Sequence, residues 1–190
     1  MSGTGIQPSA EAGATAASRA TEQPPRSIGR RASSIQIRLA ESEADIEKLI
    51  ALGPRFIEES RYRGLPFDAE KLRQAGRRAL ANKGQFGVLM AMKGDEVVGL
   101  LLAIVSEYFF STELVAATTF FYVTPEHRGG MAAIKLLHGF RNWARNRKVR
   151  EINVHITSGV HLARTDRLMR RLGFRFIGGT YAMPVGKTGI

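Results

Sequence analysis

The sequence predicts an α+β fold in which a mainly antiparallel sheet is flanked by helices and ends in one parallel pair of strands. Three strand-like segments follow one another between residues 86 and 123, as in an antiparallel meander. After residue 129, helical and strand-like segments alternate, which is typical of a crossover that returns the next strand parallel. The chain has 190 residues, 44% of them hydrophobic, which is enough for one core without disulfides.

The first elements follow from hydrophobic periodicity. Residues 35–39 alternate apolar and polar side chains, the period of a half-buried strand. A helix is predicted over residues 42–50, with Gly53-Pro54 ending it, and a second helix over residues 68–80.

Three strands then follow in succession. They are predicted at residues 86–92, 97–105 and 114–123, where β-branched and aromatic side chains are frequent. Lys93-Gly94-Asp95-Glu96 is a polar turn of the hairpin type between the first two, and Pro125 ends the third.

The last third of the chain contains the crossover. A long helix is predicted over residues 129–147 and a strand over residues 151–157. A basic amphipathic helix over residues 162–172 and a final strand over residues 174–181 complete the order β-α-α-β-β-β-α-β-α-β.

Residues 1–33 differ in composition from the rest. They are rich in glycine, alanine, serine and proline, with arginines near their end, and they hold too few large apolar residues to form a core. The sequence predicts a disordered basic arm there and a folded domain over residues 34–190. A transit peptide is an alternative reading of the arm.

Charge and composition exclude several classes of protein. The 28 Lys and Arg against 17 Asp and Glu leave a net charge of +11, which attracts anionic ligands or partners. The absence of cysteine excludes thiol catalysis, thiolate zinc sites and a disulfide framework. No apolar run approaches the ~18 residues of a membrane span, and no secretory signal pattern opens the chain, so a cytoplasmic location without membrane association is expected.

One segment carries a chemical signal, the strand-to-helix junction over residues 123–134. Small residues at a helix N-terminus allow several backbone N–H groups to converge on an anion such as pyrophosphate. Arg128 adds a fixed positive charge beside them. Tight turns use the same small residues simply to pack, so a plain turn is the alternative at this point.

Together with the order of elements, this junction resembles motif A of the GNAT superfamily of acyl-CoA-dependent N-acyltransferases, with the pattern V-x-P-x-x-R-G-x-G-x-G/A. The matching residues are Val123, Pro125, Arg128, Gly129 and Ala133. The resemblance spans residues 35–181 and includes Arg171-Leu172-Gly173-Phe174. It implies that strands four and five splay apart, with the pantetheine between them and the pyrophosphate on the turn.

The resemblance also implies acetyl-CoA as cosubstrate, no metal, and transfer to a primary amine of unknown identity. The residues that it places at the cosubstrate are Phe121, Val123, Arg128, Gly129, Gly130, Met131, Ala132 and Ala133. Two departures stand out. Met131 replaces the second glycine and is expected to pack inward, and Met169 replaces a tyrosine that relatives often have. The alternative function is therefore a weak or inactive module of a larger assembly.

The catalytic groups are harder to assign. The reaction needs a base, an oxyanion donor and an acid; a backbone N–H near residues 121–123 is the candidate donor. Strand four lacks the carboxylate that relatives use as base, and Glu113 is the nearest. Tyr122 is a candidate acid and His155 a candidate base, because histidine exchanges protons near neutral pH. Packing or solvation is the alternative role of both side chains.

The basic residues do not identify a single ligand or partner. Two runs near residues 141–150 and 164–175 hold ten arginines and lysines, which could meet the 3′-phosphate of CoA or form a solvated face. Only Trp143 and Phe174 offer stacking surfaces within them, so nucleic acid is not expected as the primary partner. Homo-oligomerisation and a larger assembly both stay open.

Overall fold

The computed structural model describes residues 34–183 and residue 185, so the predicted basic arm lies outside the described residues. The strands are β1 (Gln36–Leu39), β2 (Phe86–Lys93), β3 (Glu96–Tyr108), β4 (Ser111–Val123) and β5 (Glu151–Asn153). The helices are α1 (Glu43–Ile50), α2 (Gly53–Glu59), α3 (Ala69–Ala81), α4 (Met131–Arg145) and α5 (Leu162–Arg171).

The five strands form one sheet in the order β1-β2-β3-β4-β5. Three neighbouring pairs are antiparallel, and β4 pairs with β5 in parallel. The predicted fold class is thereby confirmed: a mainly antiparallel α+β sheet with one parallel pair at strands four and five. This pair is short, running only from Val115 opposite Glu151 to Ala117 opposite Asn153.

Alternation along β2 divides the core into two layers. Leu89 and Ala91 face the layer that α4 covers with Leu136, Phe140 and Trp143. The intervening residues Val88, Met90 and Met92 face the layer covered by α1 and α3. This is the two-residue period of a strand buried on both faces.

Three predicted boundaries are corrected by the structure. Gly53-Pro54 begins α2 rather than only ending the helix before it, since proline fits the first turn of a helix, where its missing N–H has no intrahelical acceptor. The strand predicted over residues 151–157 ends at Asn153, where it leaves β4. Residues 174–181 form no strand, because alternation supplies propensity but not the partner edge that a strand requires.

Within residues 34–183, no helix combines the length and the hydropathy needed to cross a bilayer.

An ion pair between exposed Arg38 and buried Asp45 joins β1 to α1. Asp45 accepts hydrogen bonds from Arg38 Nη1 at 2.9 Å and from the Glu41 N–H at 2.9 Å. These bonds, chiefly the one from Arg38, hold the pKa of the Asp45 carboxyl well below its usual range despite burial. Because the folded pKa is lowered, the stabilisation is present above the unfolded pKa of about 3.9 and is lost as the pH falls toward the folded pKa.

We therefore expect Asp45→Asn to lower the free energy of unfolding at pH 7 by about 1–3 kcal/mol, the usual cost of losing hydrogen bonds to a charged group. The difference from the wild type should shrink at pH 3. Urea unfolding at both pH values measures it. Asp95→Asn, at an exposed hairpin position, is the control. An undiminished difference at pH 3 would contradict the assignment to ionised Asp45.

Candidate active site

The divergence of β4 and β5 opens a cleft through the sheet. Beyond Asn153 the chain leaves the β4 edge, and the His155 N–H donates to the hydroxyl of buried Thr118 at 2.8 Å. Past this contact, residues 119–123 and residues 155–158 form opposite walls of a cleft of about 610 Å³. The predicted splaying of strands four and five is confirmed.

A β-bulge at Thr119 determines which backbone groups of β4 face the cleft. Leu102 pairs with Phe120 and Ala103 with Thr118, so Thr119 is the extra residue. The Thr124 N–H donates to the Val98 carbonyl of β3 at 3.0 Å.

Hydrogen-bonding direction alternates along an antiparallel strand. The N–H of Thr124 points to β3, so the backbone groups of Tyr122, two residues earlier, also point to β3. Phe121 and Val123 then turn theirs to the opposite, open edge. The backbone N–H groups expected near residues 121–123 are therefore directed toward the cleft.

A glycine turn joins β4 to α4 at one end of the cleft. Gly129 has φ +80°, a conformation that residues with a Cβ rarely adopt. Gly130 is the N-cap of α4 and provides no side chain to cap it. The first N–H groups of a helix lack intrahelical acceptors, and the helix dipole makes this end positive. The turn thus has the geometry of an anion site.

Basic side chains of α5 lie across from this turn. Arg164, Arg167 and Arg171 line the cleft, at spacings of three and four residues that place them on one helix face. A Cβ added to Gly129 would lie 2.5 Å from Arg164 Nη2, so the missing side chain lets this arginine approach the turn. Of the described residues that line the cleft, none is an aspartate or glutamate.

A carboxylate that sequence reasoning missed lies behind the cleft. Glu59, in the last turn of α2, pairs with Arg128 Nη1 at 2.7 Å and accepts a hydrogen bond from the Tyr122 hydroxyl. Arg128 Nε also donates to the Val123 carbonyl at 2.8 Å. No local pattern marks Glu59, because the residues it meets lie 63 or more positions further along the chain.

These contacts shift two pKa values in opposite directions. Burial, the acceptor Glu59 and its negative charge raise the pKa of the Tyr122 hydroxyl well above its usual value. Burial alone would raise the pKa of Glu59, but the hydrogen bonds from Arg128 and Tyr122 and the arginine charge outweigh it and lower that pKa. Near neutral pH the pair is therefore a protonated phenol and an ionised carboxylate.

Most of the predicted site residues meet at the cleft. The predicted residues that line it are Phe121, Tyr122, Val123, Arg128, Gly129, Gly130, Ala133 and His155. Ala132, in the first turn of α4, is fully buried and packs in the core. Glu113 is exposed near the other end of β4. It lies nine positions before Tyr122, a distance of roughly 30 Å along an extended strand. The structure does not bring Glu113 to the cleft.

The two methionines lie differently from expectation. Met131 was predicted to pack inward, but it is 51% exposed at the first position of α4. The first turn of the helix buries Ala132 instead, which leaves the neighbouring position in solvent. Met169 is buried in the core between α5 and the sheet and does not line the cleft described above.

A comparison with family models identifies the chain. Residues 54–174, more than half of the sequence, match the acetyltransferase (GNAT) family. The chain belongs to that family, as its splayed sheet and motif A junction indicate. A comparison with curated protein sequences finds no match.

Solved structures share the fold at low sequence identity. The enzyme AAC(6')-Iy, in complex with the bisubstrate analogue CoA-S-monomethyl-acetylneamine, is 17% identical with a TM-score of 0.63, over 83% of this chain and 100% of that chain. A transcriptional regulator from Bacillus halodurans is 18% identical with a TM-score of 0.66, over 80% and 100%. An aminoglycoside acetyltransferase from an uncultured soil metagenomic sample is 21% identical with a TM-score of 0.58, over 80% and 97%.

Within residues 34–183, no three His, Asp or Glu side chains are grouped closely enough to hold a metal ion.

Proposed function

We propose that this protein is an acyl-CoA-dependent N-acyltransferase that uses acetyl-CoA to acylate a primary amine. One observation carries the proposal: the open edge of β4 leads directly to an uncapped helix N-terminus that faces three arginines. A long ligand with an acyl group at one end and phosphates at the other matches this order of groups. Membership of the acetyltransferase family supports the same reaction class.

The residues at the turn fit the phosphates of CoA. The missing side chain of Gly129 brings the Arg164 guanidinium beside the first N–H groups of α4, so both kinds of donor face the same anion. Arg164, Arg167 and Arg171 would neutralise phosphate charge across the cleft. Arg128 is already bound to Glu59 and to a backbone carbonyl, so its first role is to hold the turn against α2.

Acetyl-CoA, when bound, supplies a thioester with an electrophilic acyl carbon. The N–H groups of Phe121 and Val123 are the proposed donors for its carbonyl oxygen. The Tyr122 hydroxyl keeps its proton at neutral pH and is the proposed acid. Its one O–H is donated to Glu59 in this structure, so the hydroxyl would have to turn from Glu59 to the departing sulfur to deliver the proton. His155, which lines the opposite wall, is the proposed base toward the amine. Glu113 lies too far along β4 for that task.

The alternative, a module without activity, rested on Met131 and Met169. Neither side chain lines the cleft between β4 and α5, because one is exposed to solvent and the other packs in the core. The two departures from the family pattern therefore do not obstruct the proposed cosubstrate cleft. Met169 still lacks the hydroxyl that relatives often have at this position, so the proposed acid has to come from another residue.

The proposal predicts that Gly130→Val weakens acetyl-CoA binding at least tenfold. A Cβ at this position meets only the His127 carbonyl oxygen at 3.6 Å, an ordinary contact, so the fold should persist while the side chain occupies the anion site. Isothermal titration calorimetry with acetyl-CoA and with CoA measures the effect. Gly178→Val, at a position with open space around it, is the matched control.

Two results would count against this site. Unchanged affinity in Gly130→Val, with an unchanged circular dichroism spectrum, would show that phosphate binds elsewhere. Absence of binding to the wild type at millimolar acetyl-CoA would favour the module without activity.

A further inference from the structure

An aromatic cluster forms one wall of the cleft on the α2 side of the sheet. The Phe56 ring centroid lies 4.4 Å from Phe120, 5.5 Å from Tyr122 and 5.9 Å from Tyr62. All four rings border the cleft; Phe56 and Tyr122 are buried, whereas Phe120 and Tyr62 are half-buried and expose more of their surface to it. These two rings therefore present apolar surface to whatever enters from the α2 side.

The aromatic wall is held in place across the cleft. The Arg61 N–H donates to the Ser158 carbonyl at 2.9 Å, and the Tyr62 hydroxyl lies 3.4 Å from the Thr157 carbonyl. The segment after α2 is thus joined to the segment after β5. A rigid wall lowers the entropic cost of binding a ligand against it.

The carboxylates nearest this wall are already paired with arginines. Glu59 pairs with Arg128 at 2.7 Å, and Glu58 pairs with Arg63 at 3.1 Å. Glu126, in the turn after β4, pairs with Arg55. An acceptor with several ammonium groups would have to break such pairs to find a counter-charge.

The rest of the cleft offers a polycation no counter-charge. Of the described residues that line it, none is an aspartate or glutamate, and the proposed function already assigns Arg164, Arg167 and Arg171 to the phosphates of CoA. Moving an ammonium group from water into a site without an opposite charge is unfavourable. AAC(6')-Iy and the aminoglycoside acetyltransferase described above are only 17% and 21% identical to this chain, so the likeness concerns the fold and not the acceptor.

From this combination we infer that the acceptor is a monoamine with an aromatic or bulky apolar body, rather than a polycationic amino sugar. The inference rests on the proposed acyl transfer and adds the substrate class. Phe120 and Tyr62 are the binding residues: they hold the apolar body while the single amine enters the gap between β4 and the segment after β5.

The test compares three acceptors at saturating acetyl-CoA: 2-phenylethylamine, ethylamine and kanamycin. We expect kcat/KM for 2-phenylethylamine to exceed that of each of the other two at least tenfold. Phe120→Ala and Tyr62→Ala should each lower this value at least fivefold, mainly through KM. Phe109→Ala, at a fully exposed ring on the β3–β4 hairpin, is the control and should change nothing. If Phe120→Ala does not fold, Phe120→Leu replaces it.

Separate measurements distinguish failure of the inference from failure of the proposed reaction. Calorimetry with acetyl-CoA should give the same Kd for the wild type and the two ring variants. If the wild type does not bind acetyl-CoA, the proposed acyl transfer itself is wrong. Calorimetry with 2-phenylethylamine tests the ring wall without turnover. Three results would overturn the inferred acceptor class: a higher kcat/KM for kanamycin than for 2-phenylethylamine, an equal kcat/KM for ethylamine, or an affinity for 2-phenylethylamine that neither ring substitution changes.

Discussion

Tyr122→Phe is expected to lower kcat by on the order of 10²-fold, the lower end of what a positioned acid contributes. The hydroxyl is buried beside Glu59 and its pKa is raised, so it retains the proton that a departing thiolate needs. Because the acid form persists above pH 10, an alkaline limb in kcat set by Tyr122 should lie above that pH in the wild type. The Kd of acetyl-CoA should change less than twofold, since the ring and its packing against Phe56 remain.

Steady-state kinetics over pH 6–10.5 measure kcat and its pH dependence, and calorimetry measures the Kd of acetyl-CoA. Tyr181→Phe is the matched control, because the Tyr181 ring is 99% exposed. Loss of the bond to Glu59 also costs some stability, so thermal unfolding should accompany the kinetics. A variant with wild-type kcat would leave His155 and ordered water as the route for protons and would remove Tyr122 from the chemistry.

Gly87→Val is expected to lower the free energy of unfolding by about 3 kcal/mol or more, at or beyond the usual upper range for overpacking a core. A Cβ built on Gly87 would lie 2.5 Å from Trp143 Cε2, closer than two carbon atoms can approach. The indole cannot easily retreat, because it is buried and Arg147 lies 4.0 Å over its ring. Strand β2 and helix α4 would have to separate.

Chemical denaturation at pH 7 measures this loss. Gly84→Val is the control three residues earlier, where nothing lies within 4 Å of an added Cβ. If the two variants were equally stable, the indole would have room to move, and the contact between β2 and α4 would be less tightly packed than the structure indicates.

The strands that pair locally could be predicted from the sequence because their signals are local. The meander from β2 to β4 follows from β-branched and aromatic residues and from the two-residue Gly94-Asp95 turn, which need no distant partner. The proposed cosubstrate turn is equally accessible, since Arg128, Gly129 and Gly130 are consecutive. The strand predicted over residues 174–181 shows the limit, because this segment pairs with no strand of the sheet.

The contacts of the proposed catalytic residues appear in no local sequence pattern. Glu59 reaches Tyr122 across 63 positions, and the same carboxylate determines where Arg128 points. Glu113 was selected for lying on the same strand as Tyr122, but the length of a 13-residue strand separates it from the cleft. An extended strand rises about 3.3 Å per residue, so two residues that are close in sequence on one strand can lie far apart in space.

The sequence by itself determined the α+β fold, the parallel pair at its end and the position of the glycine turn that we propose as the anion site, because periodicity, glycines and the order of elements are encoded within short windows. Only the tertiary structure decided that Met131 lies in solvent, that Met169 lies in the core and that Phe56, Phe120 and Tyr62 share one wall. The physical reason is that a side chain's surroundings depend on how each helix is rotated against the sheet. That rotation is set by packing between elements far apart in the chain.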